Sequence, residues 1–509
     1  MALVDYLDKG ASLGPNEPCL VADERTLSYA DVQQLSHRIA GALHRSGLRA
    51  DDSVAILSSN DPIAFSTVFG ISRLGAVWCP VNPRNSPDEN LALLDLFDCK
   101  CLIFQAAYAP LVAQIADRLT KVTLFVCLDD TSALGPRFDD WLGDEEYPGA
   151  TTSFRPDPTV MLVGTGGTTG TPKGVMLSDR NLETMTAVTL MSYPFEGRPV
   201  YLALAPLTHA AGVLCFPIMS LGGRIVIMAH ADVSEFLTLI ESHRVTHTFL
   251  PPTVIYMALA NELSKSKGFG SLQCFWYGAA PMSTQRLTEA IETFGPVMGQ
   301  LFGQSEAPMM ISTMAPAEHF RDDGSLAVER LSSAGHPSPL VTVGIMDAAG
   351  GLLPRGERGE IVVRGSLVMQ GYYRNPAATE EAGAYGWHHT GDIGYLDDDN
   401  YLFIVDRAKD MIITGGFNVY SAEVEQALMA HPGVHEAAVI GLPDDKWGER
   451  VTAVIVAAAG QSPAADELIA FVKARIGSVK APKQIEVWPD LPRSKVGKVL
   501  KPEIRATLA

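Results

Sequence analysis

The sequence predicts an α/β protein, with parallel sheets covered by helices and a smaller α+β domain after them. Three observations predict it. Short apolar runs alternate with helical patterns through most of the chain, the signature of parallel strands joined by helical crossovers. The 509 residues exceed what one core ordinarily serves, so two or more domains are expected. The character of the sequence also changes near residue 400, where a Gly-rich β region gives way to a compact mixture of helices and strands.

In chain order, Ser28 caps a helix whose apolar positions Val32, Leu35, Ile39 and Leu43 keep helical spacing, with Gly47 as the stop. Ser53 to Leu57 reads as a buried strand, Phe65 to Leu74 as a helix and Ala76 to Val81 as the next strand. Leu102 to Phe104 and Val122 to Leu128 continue the alternation, as do Tyr201 to Leu204, Arg224 to Met228, Thr248 to Leu250 and Gln273 to Tyr277. Leu340 to Gly371 forms the Gly-rich β region, with turns at Ala348 to Gly351 and Pro354 to Gly356. From Ser421 onward the pattern is helix Ala422 to Met429, strands Glu436 to Gly441 and Val451 to Ala457, helix Asp466 to Ile476 and strand Gln484 to Val487. A hundred-odd residues suffice for an independent domain. The boundary is expected between Asp406 and Lys409: domain 1–406, hinge 407–409, domain 410–509.

Apolar content of 47% and charged content of 19% describe a globular chain, and the formal net charge is −19. Such acidity argues against nucleic acid or an anionic membrane surface as the main partner, so any polyanion must be held in a local pocket. The seven cysteines are scattered through apolar contexts. Cys99 and Cys101 make C-x-C without a second pair, which suits buried thiols in a reducing compartment better than a metal site. Met1 to Gly10 lacks the basic start and apolar core of a signal peptide. Ala210 to Leu221, the most apolar interior stretch, contains Pro217 and is too short to span a bilayer. The final residues carry no peroxisomal tripeptide. A cytoplasmic location and no integral membrane association are expected, as monomer or homodimer.

The chemistry-bearing stretch is Val163 to Val175, V-G-T-G-G-T-T-G-T-P-K-G-V, flanked by the apolar runs Val160 to Val163 and Val175 to Leu177. Glycines let backbone N–H groups approach a polyanion, threonine hydroxyls add donors and a lysine adds charge, so this is a phosphate cradle in physical terms. It is not a Walker loop: Pro172 precedes Lys173 and Gly174 follows it, whereas that motif needs Gly before the lysine and a hydroxyl after it. The nearby G-x-G-x-x-G spacing does not open a helix. The run T-G-G-T-T-G-T-P-K-G instead resembles the signature loop of the adenylate-forming superfamily, which includes acyl-CoA synthetases, adenylation domains of peptide synthetases and beetle luciferases.

Five more stretches resemble that superfamily, in its order, so the likeness spans nearly the whole chain. In P-L-T-H-A-A-G, Pro206 to Gly212, His209 matches a histidine beside the carboxylate pocket and thiol tunnel. In F-W-Y-G-A-A-P-M, the resemblance sets Gly278, Ala279 and Ala280 against the adenine, with Tyr277 lining the acyl pocket. In L-F-G-Q-S-E, Leu301 to Glu306, Phe302 and Ser305 replace the usual tyrosine and threonine. An aromatic face and a hydroxyl for the α-phosphate are kept. Gly303 and Gln304 belong to the same nucleotide-binding run, and Glu306 matches the carboxylate that holds Mg²⁺. In W-H-H-T-G-D, Asp392 matches a ribose clamp and Arg407, downstream, a nucleotide contact; Asp397 to Asp399 reads as a solvated hairpin tip. In P-R-S-K-V-G-K-V-L-K, Pro492 to Lys501, Lys498 matches the catalytic lysine.

The resemblance implies a large N-terminal domain of two αβ-layered halves plus a β-barrel, and a small mobile C-terminal domain that pivots at Lys409. Gly415, Gly416 and Phe417 match the segment that lines a pantetheine tunnel, and Ser421 stands where many relatives have proline. The implied reaction is AMP-forming ligation of a carboxylic acid to coenzyme A, with ATP and Mg²⁺. Thr165, Gly166, Gly167, Thr168, Thr169, Gly170 and Lys173 hold the leaving phosphates, while Ser305, Glu306 and Lys498 stabilise the developing charge. The acyl pocket, His209, Val213, Tyr277, Gly303, Met309 and Met310, is mostly apolar, which disfavours amino acids and favours a medium-chain, aryl or alicyclic acid. A stand-alone adenylation enzyme loading a carrier protein is the nearest alternative. A luciferase-like oxidase has no motif of its own here, and a non-catalytic nucleotide sensor would not require both Lys498 and Glu306.

Overall fold

A computed structural model describes residues 1–147, 157–165, 172–207, 210–493 and 499–508. Two large sheets share the first four hundred residues. One has seven strands, in the order Gly371–Tyr372, Lys173–Ser178, Thr159–Thr165, Val77–Val81, Ser53–Leu57, Cys101–Phe104 and Leu124–Cys127. Ser53–Leu57 and its two neighbours are parallel and buried at every position, because helices cover both faces. The sheet turns antiparallel at Thr159–Thr165, where a hairpin replaces a crossover.

The other sheet has nine strands: His336–Pro337, Ser312–Met314, Met298–Phe302, Cys274–Gly278, His247–Leu250, Val200–Ala203, Arg224–Ile227, Pro18–Ala22 and Arg25–Ser28. The first strands of the chain therefore sit at the far edge of the second sheet. The helix Leu3–Leu13 precedes them and buries Leu3, Val4, Tyr6 and Leu7 in the largest apolar cluster, with Tyr6 stacked on Phe216 at 5.2 Å. The placement of those strands was not legible in the sequence, because it rests on pairing with Arg224–Ile227. The expected helix from Ser28 is Tyr29–Arg45, and the Ser28 hydroxyl accepts from Asp31 N–H as a capping box requires.

Where the barrel is expected, an antiparallel four-stranded sheet runs Thr342–Met346, Gly359–Arg364, His388–Leu396, Leu402–Arg407, and its two edge strands do not pair with each other among the described residues. Asp398 and Asp399 are exposed at the tip of its last hairpin, as expected. The C-terminal region has a separate core around Val424, Leu428, Val439, Val451, Leu468 and Val472. Its elements agree with the expected ones: helices Ser421–Met429 and Ala465–Ile476, the long hairpin Val434–Asp444 with Gly448–Ala457, and strand Gln484–Val487. The seven cysteines are buried and free. No helix among the described residues is long and apolar enough to cross a membrane.

Candidate active site

The glycine-rich stretch is flanked by two antiparallel strands, Thr159–Thr165 and Lys173–Ser178. Thr165 lies opposite Lys173 and Gly164 opposite Gly174, and the Thr165 hydroxyl donates to the Lys173 carbonyl at 3.4 Å. A strand, not a helix, follows Pro172, so this cradle has no helix dipole aimed at its anion and depends on side-chain charge. The hairpin base sits on the helix Pro87–Leu96: a Cβ on Gly164 would lie 2.6 Å from Leu93, and one on Gly174 2.5 Å from the Phe97 ring at the end of that helix. Gly166, Gly167, Thr168, Thr169 and Gly170 lie outside the described residues.

Lys173 extends over the ring of Tyr372, its Nζ 4.9 Å from the centroid. The Tyr372 hydroxyl donates to Glu306 Oε1 at 2.8 Å. Burial pushes the Tyr372 phenol up and the Glu306 carboxylate adds to it, so the phenol stays a donor. Tyr372 reaches this position because Gly371–Tyr372 pairs with Met176 and Val175 beside the hairpin. Motif reading missed it: Gly371-Tyr372-Tyr373 carries no chemistry in isolation, and only strand pairing brings it to Lys173 and Glu306.

Glu306 belongs to a tight loop between Met298–Phe302 and Ser312–Met314. A Cβ on Gly303 would lie 2.4 Å from the Met309 nitrogen, and Met309 itself has φ 61°. Gln304 N–H donates to Ala307 O at 3.0 Å and Met369 N–H to Glu306 O at 2.7 Å. From this loop the Gln304 amide donates to Thr390 O at 2.7 Å and Asp392 Oδ2 at 2.9 Å. Asp392 is 3% exposed, and Arg407, its register partner, meets Oδ1 through Nε at 2.7 Å. A diol arriving at Asp392 would share that carboxylate with both. His388 Nε2 stands 3.4 Å from Gln304 Oε1, and burial holds its imidazole below the usual range.

Gly278 ends the strand Cys274–Gly278 against Leu301, where a Cβ would lie 2.3 Å from the carbonyl oxygen. Ala279, in the left-handed region at φ 66°, and Ala280 then form an exposed ledge without bulky side chains. Phe302 is half-buried, and Ser305 is half-exposed on the same loop as Glu306. The expected acyl pocket is only partly assembled. Val213, Met309 and Met310 share one apolar cluster, but Tyr277 belongs to another, on the opposite face of its strand. There the Tyr277 hydroxyl meets His319 Nε2 at 2.9 Å, and burial lowers His319 to about 4, leaving it neutral. His209 and Lys498 fall outside the described residues.

Gly415 and Gly416, at φ 57° and 81°, turn the hairpin Ile412–Thr414 to Phe417–Val419, and Phe417 is 60% exposed. Lys409 is exposed in a single 3₁₀ turn. The structure thus brings Thr165, Lys173, Phe302, Gly303, Gln304, Glu306, Asp392 and Arg407 into one run of contacts. Among the described residues no group of three or more His, Cys, Asp or Glu could hold a metal alone. Glu306 can still contribute one carboxylate: no described residue donates to its second oxygen. Magnesium shared between one carboxylate and substrate phosphates suits such a donor.

Comparison with known proteins adds to this geometry. The chain matches the family described as AMP-binding enzyme over residues 7–373 and its C-terminal domain over residues 423–498. It is similar to a medium/long-chain-fatty-acid–CoA ligase of Mycobacterium tuberculosis, 41% identical over 96% of this chain and 87% of the relative. It is also similar to a feruloyl-CoA synthase of an Amycolatopsis species, 35% identical over 97% of this chain and 96% of the relative. An amide bond synthetase from Marinactinospora thermotolerans has the same fold, with TM-score 0.91 and 29% identity, over 99% of both chains. The chain belongs to the AMP-binding enzymes of the adenylate-forming superfamily, alongside the acyl-CoA synthetases.

Proposed function

We propose that the chain joins a medium-chain, aryl or alicyclic carboxylic acid to coenzyme A at the expense of ATP, with residues 1–406 forming the adenylating domain, 407–409 the hinge and 410–509 the moving domain. A carboxylate is a poor acyl donor because its leaving group is oxide. One carboxylate oxygen attacks the α-phosphorus of ATP, the bond to the β-phosphate oxygen breaks, and acyl-AMP and pyrophosphate result. The CoA thiolate then attacks the acyl carbon, and AMP leaves with the oxygen that came from the acid.

Catalysis of the first step is positioning and charge neutralisation. Lys173, Thr165 and the glycine–threonine loop bind the departing pyrophosphate. Ser305 donates to the α-phosphate, and Glu306, oriented by the Tyr372 hydroxyl, would hold Mg²⁺. When bound, the ion neutralises phosphate charge. Asp392 and Arg407 orient the ribose, Gln304 holds Asp392, and Phe302 with Gly278, Ala279 and Ala280 provides a flat seat for adenine. Lys498 reaches the carboxylate and α-phosphate as charge develops. The observation that carries this reading is that two lines of contact, Lys173–Tyr372–Glu306 and Gln304–Asp392–Arg407, meet on the loop that holds Gln304 and Glu306. Val213, Met309 and Met310, which share one apolar cluster, support an apolar acyl group. A fatty-acid ligase and a feruloyl-CoA synthase among the relatives support the same range. His209 is assigned to the pocket wall by resemblance, and Tyr277 is left out of it.

Lys498→Ala is expected to lower ATP–pyrophosphate exchange by roughly a hundredfold or more while thioester formation from preformed acyl-AMP largely survives; equal loss of both half-reactions would remove the assigned role. Tyr372→Phe keeps the ring under Lys173 but frees Glu306, so the KM for ATP with magnesium should rise by roughly tenfold, the scale of one hydrogen bond to a charged group. An unchanged KM would contradict it. Pyrophosphate release should be at least about tenfold faster with octanoate, benzoate or cyclohexanecarboxylate than with acetate, since apolar contact discriminates on that scale. A preference for acetate or an amino acid would overturn the substrate class.

A further inference from the structure

Ser421, the residue that stands where many relatives carry proline, makes bonds that proline cannot. It opens the helix Ser421–Met429, whose preceding residue, Tyr420, provides no side-chain cap. The cap comes instead from Asp406, on the last strand before the hinge, which is 6% exposed. Asp406 Oδ2 accepts from Ser421 N–H, and Oδ1 accepts from the Ser421 hydroxyl at 2.9 Å and from Arg407 N–H at 2.8 Å. A carboxylate at a helix N-terminus is favoured by both the unpaired N–H groups and the helix dipole.

On its other side, the Ser421 oxygen accepts from Lys501 Nζ at 2.5 Å, and the same ammonium pairs with Glu425 at 2.7 Å. Glu425 in turn accepts from Val439 N–H at 2.8 Å. Lys501 and Glu425 are largely buried, so neither charge can be left unpaired cheaply. Lys501 starts the C-terminal helix Lys501–Leu508, three positions after Lys498. A relay therefore runs from the large domain, across the hinge, to the anchor of the run that carries Lys498.

The run that carries Lys498 is tied on both flanks within the small domain. Arg493, near its start, pairs with Glu436. The Gly415–Phe417 hairpin is turned to solvent at Phe417. We propose that the Asp406–Ser421–Lys501–Glu425 relay is a latch that holds the small domain with this tunnel-matching hairpin turned out, the adenylating orientation, and that Ser421 is the positioning residue that sets the balance between the two half-reactions. It rests on the two-step reading proposed above.

The test compares the full-length chain with Ser421→Thr, Ser421→Ala and Ser421→Pro. Proline suits the first position of a helix, so the last variant should fold. ATP–pyrophosphate exchange is measured with octanoate and benzoate, and thioester formation from octanoyl-AMP or benzoyl-AMP with CoA. Loss of one hydrogen bond to a charged group corresponds to roughly a tenfold change in an equilibrium. Exchange should fall by about that factor in Ser421→Ala, further in Ser421→Pro, and stay near the parent in Ser421→Thr, while thioester formation is kept or rises. Trypsin should cut the exposed hinge at Arg407 or Lys409 faster in Ser421→Ala and Ser421→Pro. Equal change of both half-reactions, or an unchanged ratio with unchanged cleavage, would overturn the latch alone. Absence of exchange by the parent chain with both acids would overturn the ligase reading itself.

Discussion

The closeness of Gly303 to the Met309 backbone is the constraint on which the site depends. With a Cβ on Gly303 only 2.4 Å from a backbone nitrogen, no other residue fits without displacing the loop. The tight turn lets neighbouring side chains leave in different directions. Gln304 reaches the four-stranded sheet at Thr390 and Asp392, and Glu306 reaches the seven-stranded sheet at Tyr372. The loop itself grows from the nine-stranded sheet. Three sheets thus meet at four residues, and the polar groups there are fixed by short hydrogen bonds rather than by apolar packing. Preorganisation of this kind reduces reorganisation when charge develops on a bound phosphate.

Electrostatics explains why the site is local. A chain with net charge −19 repels polyanions over most of its surface. The cradle has no helix N-terminus behind Pro172, so in the proposed reading attraction comes from Lys173, Arg407 and the run near Lys498. Two of these lie on the proposed hinge or beyond it, which links phosphate binding to the orientation of the small domain. Ser421 and Asp406 matter for the same reason: they tie that orientation to a buried carboxylate on the large domain.

Much of the fold was legible because its signals are local. Ser53–Leu57 and Gln484–Val487 have the bounds that apolar runs alone suggest, and the Ser28 cap forms as the spacing implies. In the helix Leu3–Leu13, Leu3, Val4, Leu7 and Ala11 do keep helical spacing, with Asp5, Asp8 and Lys9 on the other face, but the strand that follows pairs with a partner two hundred residues away, which no local signal reveals. The site was legible where a motif is contiguous, as for Gln304, Glu306 and Asp392. It was not where pairing decides. Tyr277 faces its strand's other side with Phe275, and its partner His319 lies on a separate 3₁₀ turn. Tyr372 reaches Glu306 only through its pairing with Val175. Ser421 carries no signal in isolation; only the fold brings Asp406 and Lys501 to either side of it.

The route of one oxygen atom tests the two-step account most directly. With octanoate or benzoate labelled with ¹⁸O in the carboxylate, complete turnover with ATP and CoA should leave one ¹⁸O atom in AMP, read by mass spectrometry, and none in pyrophosphate. Label appearing in inorganic phosphate with ADP as product, or AMP without label, would contradict attack of the carboxylate on the α-phosphorus.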